Sequence, residues 1–313
     1  MKTAAAGALL ALILALGACG REQQTSAPPV TAREIADAYG RKVAVPATAQ
    51  RVVVLSELDL DAALALQVTP AGAVNGRGSD RPPAYLEKYT GAVASVGDFA
   101  QPSLDRIVAL QPDLILAGGQ SDPAMLEQLA AIAPMVVSFY PGEPWQDSLQ
   151  RIAVALGRPQ ACEPLLQAYR ARVGKLRAAL SGHRGESVSI VRLTPNGPMY
   201  MLGEAFAGRV LADLDLTRPP AQRQAGAGHG PPLSREMLAD IDGDWLFIGN
   251  FSPDPRGVAA LRDEPAFAEL RAVKTGRVRE VDAALWTVVG GPVAAQAVLD
   301  DIEAAFAARG NSL

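Results

Sequence analysis

The sequence predicts an α/β protein with two lobes of mostly parallel sheet joined by one long helix, and three observations predict it. Apolar strand-like runs alternate with helical patterns along most of the 313 residues, which implies parallel strands covered by helices on both faces. The block from Ser103 to Gly118 aligns without a gap to the block from Ser234 to Gly249, every pair offset by 131 positions. Between the two copies lies a segment from Pro164 to Leu180 whose apolar residues, Leu166, Tyr169, Val173, Leu176 and Leu180, are spaced 3, 4, 3 and 4. Two similar Rossmann-like lobes on a stiff connector follow from these three.

Met1-Lys2 and the apolar run from Ala4 to Leu16 have the length of a signal-peptide core, too short to cross a bilayer. Residues 1–18 are therefore expected to be a signal peptide. Leu16-Gly17-Ala18-Cys19 resembles the lipobox of bacterial lipoproteins, which implies that Cys19 is lipidated and becomes the first mature residue, held at a membrane surface. Residues 19–32, polar and Pro-containing, suit a tether. Three further segments are expected: an N-terminal lobe over 33–158, a linker helix within 159–181 and a C-terminal lobe over 182–313.

In the first lobe, Tyr39 to Pro46 alternates like an edge strand, and Arg51 to Leu55 reads as a buried strand running into Ser56-Glu57. A helix follows from Asp59 to Gln67, then strands near 71–74, 94–96, 114–117 and 135–138. The linker opens on Pro164, whose missing N–H suits a first turn, and stops at Ser181-Gly182. At about 1.5 Å per residue it makes a rod of about 25 Å. The second lobe predicts strands near 187–193, 199–202, 245–248 and 278–281, with helices near 207–214, 266–270 and 293–308. Each duplicated block reads as a Ser N-cap, an acid in the first turn (Asp105, Glu236), a short amphipathic helix and a buried strand ending in Gly.

Ligands of parallel sheets sit beyond the carboxyl ends of the strands, so the residues just after each strand are the candidate cleft lining. They are Arg77, Phe99, Gln120, Tyr140 and Trp145 from the first half, and Arg192, Thr194, Phe206, Asn250, Phe251 and Trp286 from the second. In a chain that is only 5% aromatic, this concentration of rings is informative.

No catalytic constellation is present. The chain lacks a G-x-S-x-G elbow, a phosphate-cradling loop and an H-E-x-x-H motif, and Asn75-Gly-Arg-Gly78 lacks the third glycine of a dinucleotide fingerprint. A net charge of −4 without a basic run excludes a nucleic-acid footprint. His183 and His229, with no thiolate framework around them, do not make a metal site. With Cys19 assigned to lipid, Cys162 has no partner for a disulfide.

Gly40-Arg-Lys-Val-Ala-Val-Pro46, Gln50-Arg-Val-Val-Val-Leu-Ser56, the Ser103 to Leu116 block, and Val281-Asp-Ala-Ala-Leu-Trp286 with Leu299-Asp-Asp-Ile302 together resemble the helical-backbone (class III) substrate-binding lipoproteins of iron-siderophore ABC importers. The resemblance runs from about residue 33 to the end. It implies a monomeric, non-enzymatic binding protein that holds a ferric siderophore or ferric citrate between its lobes, needs no cofactor or metal site of its own, and delivers the ligand to a permease on the extracytoplasmic side of a membrane. It implies too that Asp105 and Glu236 dock into arginine-lined pockets on the two permease subunits. Arg77 and Arg192, with Arg223 as a third, are the expected charge partners of an anionic chelate. Two alternatives remain open: haem or cobalamin as the ligand, with Met199-Tyr200-Met201, Tyr140 and His229 as contacts, and a lipid-anchored sensor or enzyme.

Overall fold

The computed structural model describes residues 32–251 and 256–307. The signal peptide, Cys19 and nearly all of the tether lie outside these.

The chain begins with an antiparallel ribbon of β1 (Ala32–Ala36) and β2 (Lys42–Pro46). The alternating segment is thus paired in a ribbon of its own, not at the margin of the main sheet. The Ala38 N–H, donating to the Val137 carbonyl at 2.8 Å, ties the ribbon's turn to the lobe. The first lobe is then a five-stranded parallel sheet ordered β5-β4-β3-β6-β7, built from β3 (Val52–Val54), β4 (Gly72–Ala73), β5 (Ala94–Ser95), β6 (Leu114–Leu116) and β7 (Met135–Val136). Its helices are α1 (Glu57–Ala65), α2 (Leu104–Ala109), α3 (Pro123–Ile132) and α4 (Trp145–Ala155).

The connector is α5 (Cys162–Ala179), 18 residues whose buried positions Leu166, Tyr169, Val173 and Leu176 are those the spacing predicts. The second lobe is a four-stranded sheet ordered β11-β10-β8-β9, from β8 (Val188–Thr194), β9 (Gly197–Tyr200), β10 (Trp245–Asn250) and β11 (Val278–Val281). Only β9 runs antiparallel, to β8, across the tight turn that Gly197 makes at φ +106°. Its helices are α6 (Phe206–Asp213), the short α7 (Gly257–Arg262), α8 (Pro265–Ala268), α9 (Arg271–Lys274) and α10 (Ala283–Thr287), and the final α11 (Pro292–Ala307).

The duplication is visible in bonds. Asp113 accepts the backbone N–H groups of Gln50 and Arg51 at 2.8 and 2.9 Å, and Asp244 accepts that of Ser187 at 2.8 Å. In each lobe, then, the acid that precedes one strand holds the entry of its parallel neighbour. The copies also differ: Ser103 caps an α-helix, whereas the segment after Ser234 is a 3-10 helix, Arg235–Ile241.

Strand alternation sends residues to two faces. Val52, Val54, Leu114 and Leu116 of the first lobe share one continuous core with Val188, Ile190, Trp245 and Phe247 of the second, while Val53 and Ile115, and Val191 and Ile248, fill separate outer cores. The shared core runs through α5 and α11. Asp61 of α1 accepts the Val293 and Ala294 N–H groups at 2.9 and 2.8 Å, so a first-lobe carboxylate caps the last helix of the chain. The lobes are therefore joined twice, by the covalent rod α5 and by this capped helix.

Candidate ligand-binding cleft

The cleft is assembled at the carboxyl ends of the strands. Beyond β3, Ser56 caps α1 by accepting the Asp59 N–H at 3.0 Å, which turns Glu57 inward at 2% exposure. Asp59 accepts the Gly118 N–H at 2.9 Å and the Ser138 hydroxyl, pinning the ends of β6 and β7 to α1. Burial lifts its carboxyl to about 6 in spite of these donors.

Arg77, on the loop after β4, lies with Nε 3.4 Å from Glu57 Oε1 and its guanidinium 4.4 Å above the Phe99 ring. The Phe99 wall is fixed from behind, since the Gln120 amide donates to the Phe99 carbonyl at 2.8 Å. From the other lobe, Arg192 of β8 stacks 4.6 Å over Phe251. Burial, then the positive charge of Arg77, lowers the Arg192 pKa from its usual value, with Glu57 acting in the opposite sense. Two arginines from different lobes therefore repel one another across the cleft, each held on an aromatic face. The lobes meet beside them: a Cβ on Gly78, which adopts φ +73°, would lie 3.4 Å from the Phe251 ring.

A second contact closes the cleft near α11, where Arg209 of α6 donates to the Gly142 carbonyl at 2.8 Å. The cavity left there measures about 30 Å³ and is lined by Leu58, Trp145, Glu204, Phe206, Arg209 and Gly290. That is room for a water molecule, far short of the roughly 300–1,000 Å³ of small-molecule sites.

The predicted lining residues separate in space. Arg77, Phe99, Gln120, Arg192 and Phe251 come together; Phe206 and Trp145 border the small cavity; Tyr140 stands at 42% exposure on the loop after β7. Asn250 is exposed at the end of β10, against Gly257. The Thr194 hydroxyl is used up in its own turn, donating to the Gly197 carbonyl at 3.0 Å, and Arg223 donates to the Arg218 carbonyl at 2.6 Å. Trp286 is a correction. It has 0% exposure, its indole N–H donates to Asp301 at 2.7 Å, and its ring stacks on Phe247 at 4.5 Å. Short helix α10 turns it from the strand end back into the core. Met199, Tyr200 and Met201 are likewise buried and do not offer themselves to a haem; His229 is exposed, its Nδ1 3.0 Å from the Gly230 carbonyl. Sequence reasoning missed Glu57 and Arg209, and the Arg77 to Glu57 pairing, some twenty residues apart, leaves no local signal.

Asp105 and Glu236 are both exposed in the first turns of their helices. The Ser234 hydroxyl is the main cause that lowers the Glu236 carboxyl. Among the described residues no three His, Cys, Asp or Glu side chains cluster as a metal site, and no helix is long and apolar enough to cross a membrane.

Two sheets whose carboxyl ends share a cleft, bridged by a helical backbone, define a binding protein of the periplasmic type. The chain belongs to the periplasmic binding protein family, whose pattern matches residues 52–285. It is 30% identical over 310 residues to the probable siderophore-binding lipoprotein YfiY of Bacillus subtilis, covering 95% of each chain. It is 31% identical to the achromobactin-binding periplasmic protein of Dickeya dadantii, over 81% of this chain and 85% of that one. Among solved structures it superposes on Staphylococcus aureus SirA complexed with staphyloferrin B with a TM-score of 0.76 at 23% identity, over 88% of this chain and 98% of the other.

Proposed function

We propose that the chain captures a ferric siderophore or ferric citrate between its lobes and hands it to an ABC permease for iron uptake. The observation that carries the reading is the pair Arg77 and Arg192, brought near one another from two lobes, each guanidinium over an aromatic ring. A chelate that already wraps its iron presents an outer surface of oxygens, which guanidinium forks on aromatic walls recognise without any metal ligand from the protein. Its entry requires the Arg209 to Gly142 contact to part, because the cavity beside it is too small for a chelate.

The remaining assignments belong to the same reading. Lobes over 33–158 and 182–313 with a linker in 159–181 hold the ligand; Asp105 and Glu236 dock on two permease subunits; Cys19, after removal of residues 1–18, anchors a monomer on the extracytoplasmic face of a membrane through the tether 19–32. Tyr140 and Asn250 would complete the rim around the ligand. The names of relatives that bind achromobactin or Fe(3+) dicitrate support a ligand of this class.

Trp145 borders the interlobe cavity, so ligand entry is readable by its emission. Titrating the pure protein with ferric hydroxamates, ferric catecholates, ferric citrate, haem and cobalamin should give saturable quenching by at least one ferric chelate. Saturation by haem alone, with a Soret band, or by none of the set would overturn the proposal.

A further inference from the structure

Glu57 is a buried acid in a cleft otherwise built for anions. At 2% exposure it lies 3.4 Å from Arg77 Nε, its charge held by that guanidinium and by the backbone N–H groups of Glu57 and Arg77, while the Nε of Arg192 makes no hydrogen bond among the described residues. The groups that face Glu57 come from each element around it: Arg77 from the loop after β4, Arg192 from β8, Asp59 from α1 itself, and Tyr85 from the 3-10 helix Ala84–Tyr89.

Resting on the assignment of an anionic chelate to this cleft, we propose that Glu57 is the specificity-determining residue that sets how much negative charge the cleft accepts. Ionised, it holds the cluster of one acid and two arginines at a single net positive charge. A chelate that brings more than one negative charge to this point enters as Glu57 takes up a proton from solvent. That proton sits on a carboxyl oxygen, which then donates a hydrogen bond to an oxygen of the ligand. Burial already raises the Glu57 carboxyl, against the opposing pull of Arg77 and of the backbone N–H groups of Glu57 and Arg77.

The experiment titrates wild type and Glu57→Gln with ferric citrate, ferric staphyloferrin B and uncharged ferrichrome between about pH 6 and 8. For the anionic chelates, wild-type affinity should rise by up to about tenfold for each unit that pH falls, the limit for one linked proton. Calorimetry in two buffers of different ionisation enthalpy should count that proton. Glu57→Gln, nearly isosteric, should bind the anionic chelates at least about tenfold more tightly at the upper pH and lose the slope, while ferrichrome shows no slope with either protein. A flat wild-type profile, or a slope that survives in Glu57→Gln, overturns the inference even if the chelates bind. Failure of the anionic chelates to bind either protein at any pH removes the anion site itself, and the inference with it.

Discussion

Asp61 is where the two lobes are most exposed to a single substitution. In Asp61→Ala the N–H groups of Val293 and Ala294, now met at 2.9 and 2.8 Å, lose their acceptor inside the shared core. Loss of a helix cap costs about 0.5–2 kcal/mol, and each buried donor left unpaired about 1–3 kcal/mol. Because the cap and the two donors are overlapping descriptions of one contact, the expected loss is about 3–5 kcal/mol, a fifth or more of a stability of roughly 5–15 kcal/mol. Asp61→Asn separates charge from hydrogen bonding. The amide keeps an acceptor oxygen for one of the two N–H groups and leaves the other unpaired, so Asp61→Asn should cost less than Asp61→Ala, about 1–3 kcal/mol. Gly291→Ala is a third arm, since a Cβ there would sit 2.6 Å from the Asp61 carboxylate. Urea unfolding at pH 7.5, followed by circular dichroism, supplies the free energies, and unchanged slopes would show that the unfolded states are comparable. An alanine variant within 0.5 kcal/mol of wild type would refute the claim that this carboxylate couples the lobes.

Other expectations follow from the same structure. Asp59 and Asp61 both have folded pKa values near 6, above their unfolded values, so the fold binds more protons than the unfolded chain between about pH 4 and 6. Stability should therefore rise as pH is lowered from 7 to 5, and a thermal midpoint that falls over that interval would contradict the assignment. Because one core runs through both lobes, calorimetry should show one cooperative transition, not two separated ones. Asp105→Ala combined with Glu236→Ala should abolish iron uptake in cells while leaving ligand affinity in solution unchanged; uptake at the wild-type rate would remove both acids from the docking surface.

Much of this fold was legible because its periodicities are strong. The apolar positions of the connector lie on one face whatever surrounds them, and the buried runs at Val52 and Trp245 need no partner to be read as strands. The duplicated blocks identified Asp105 and Glu236 as equivalent exposed acids, although only the first stands on an α-helix. What stayed hidden depends on contacts distant in sequence. A helical pattern near 293–308 gives α11 an apolar face but does not say that Asp61, more than two hundred positions earlier, will cap it. Trp286 follows a strand, which suggested a cleft wall, yet Phe247 and Asp301 draw it into the core. Glu57 reads locally as an acid complementing a helix start; only the approach of Arg77 and Arg192 makes it part of the cleft.

The most direct measurement of the central claim is equilibrium dialysis of radioactive ferric citrate and ferric staphyloferrin B against wild type and the Arg77→Ala, Arg192→Ala double variant. The account predicts one chelate bound per wild-type molecule for at least one of them, with affinity falling at least about hundredfold in the variant as two charge-assisted contacts are lost. Equal binding by both proteins would contradict it, because the ligand would then sit somewhere other than between the two arginines.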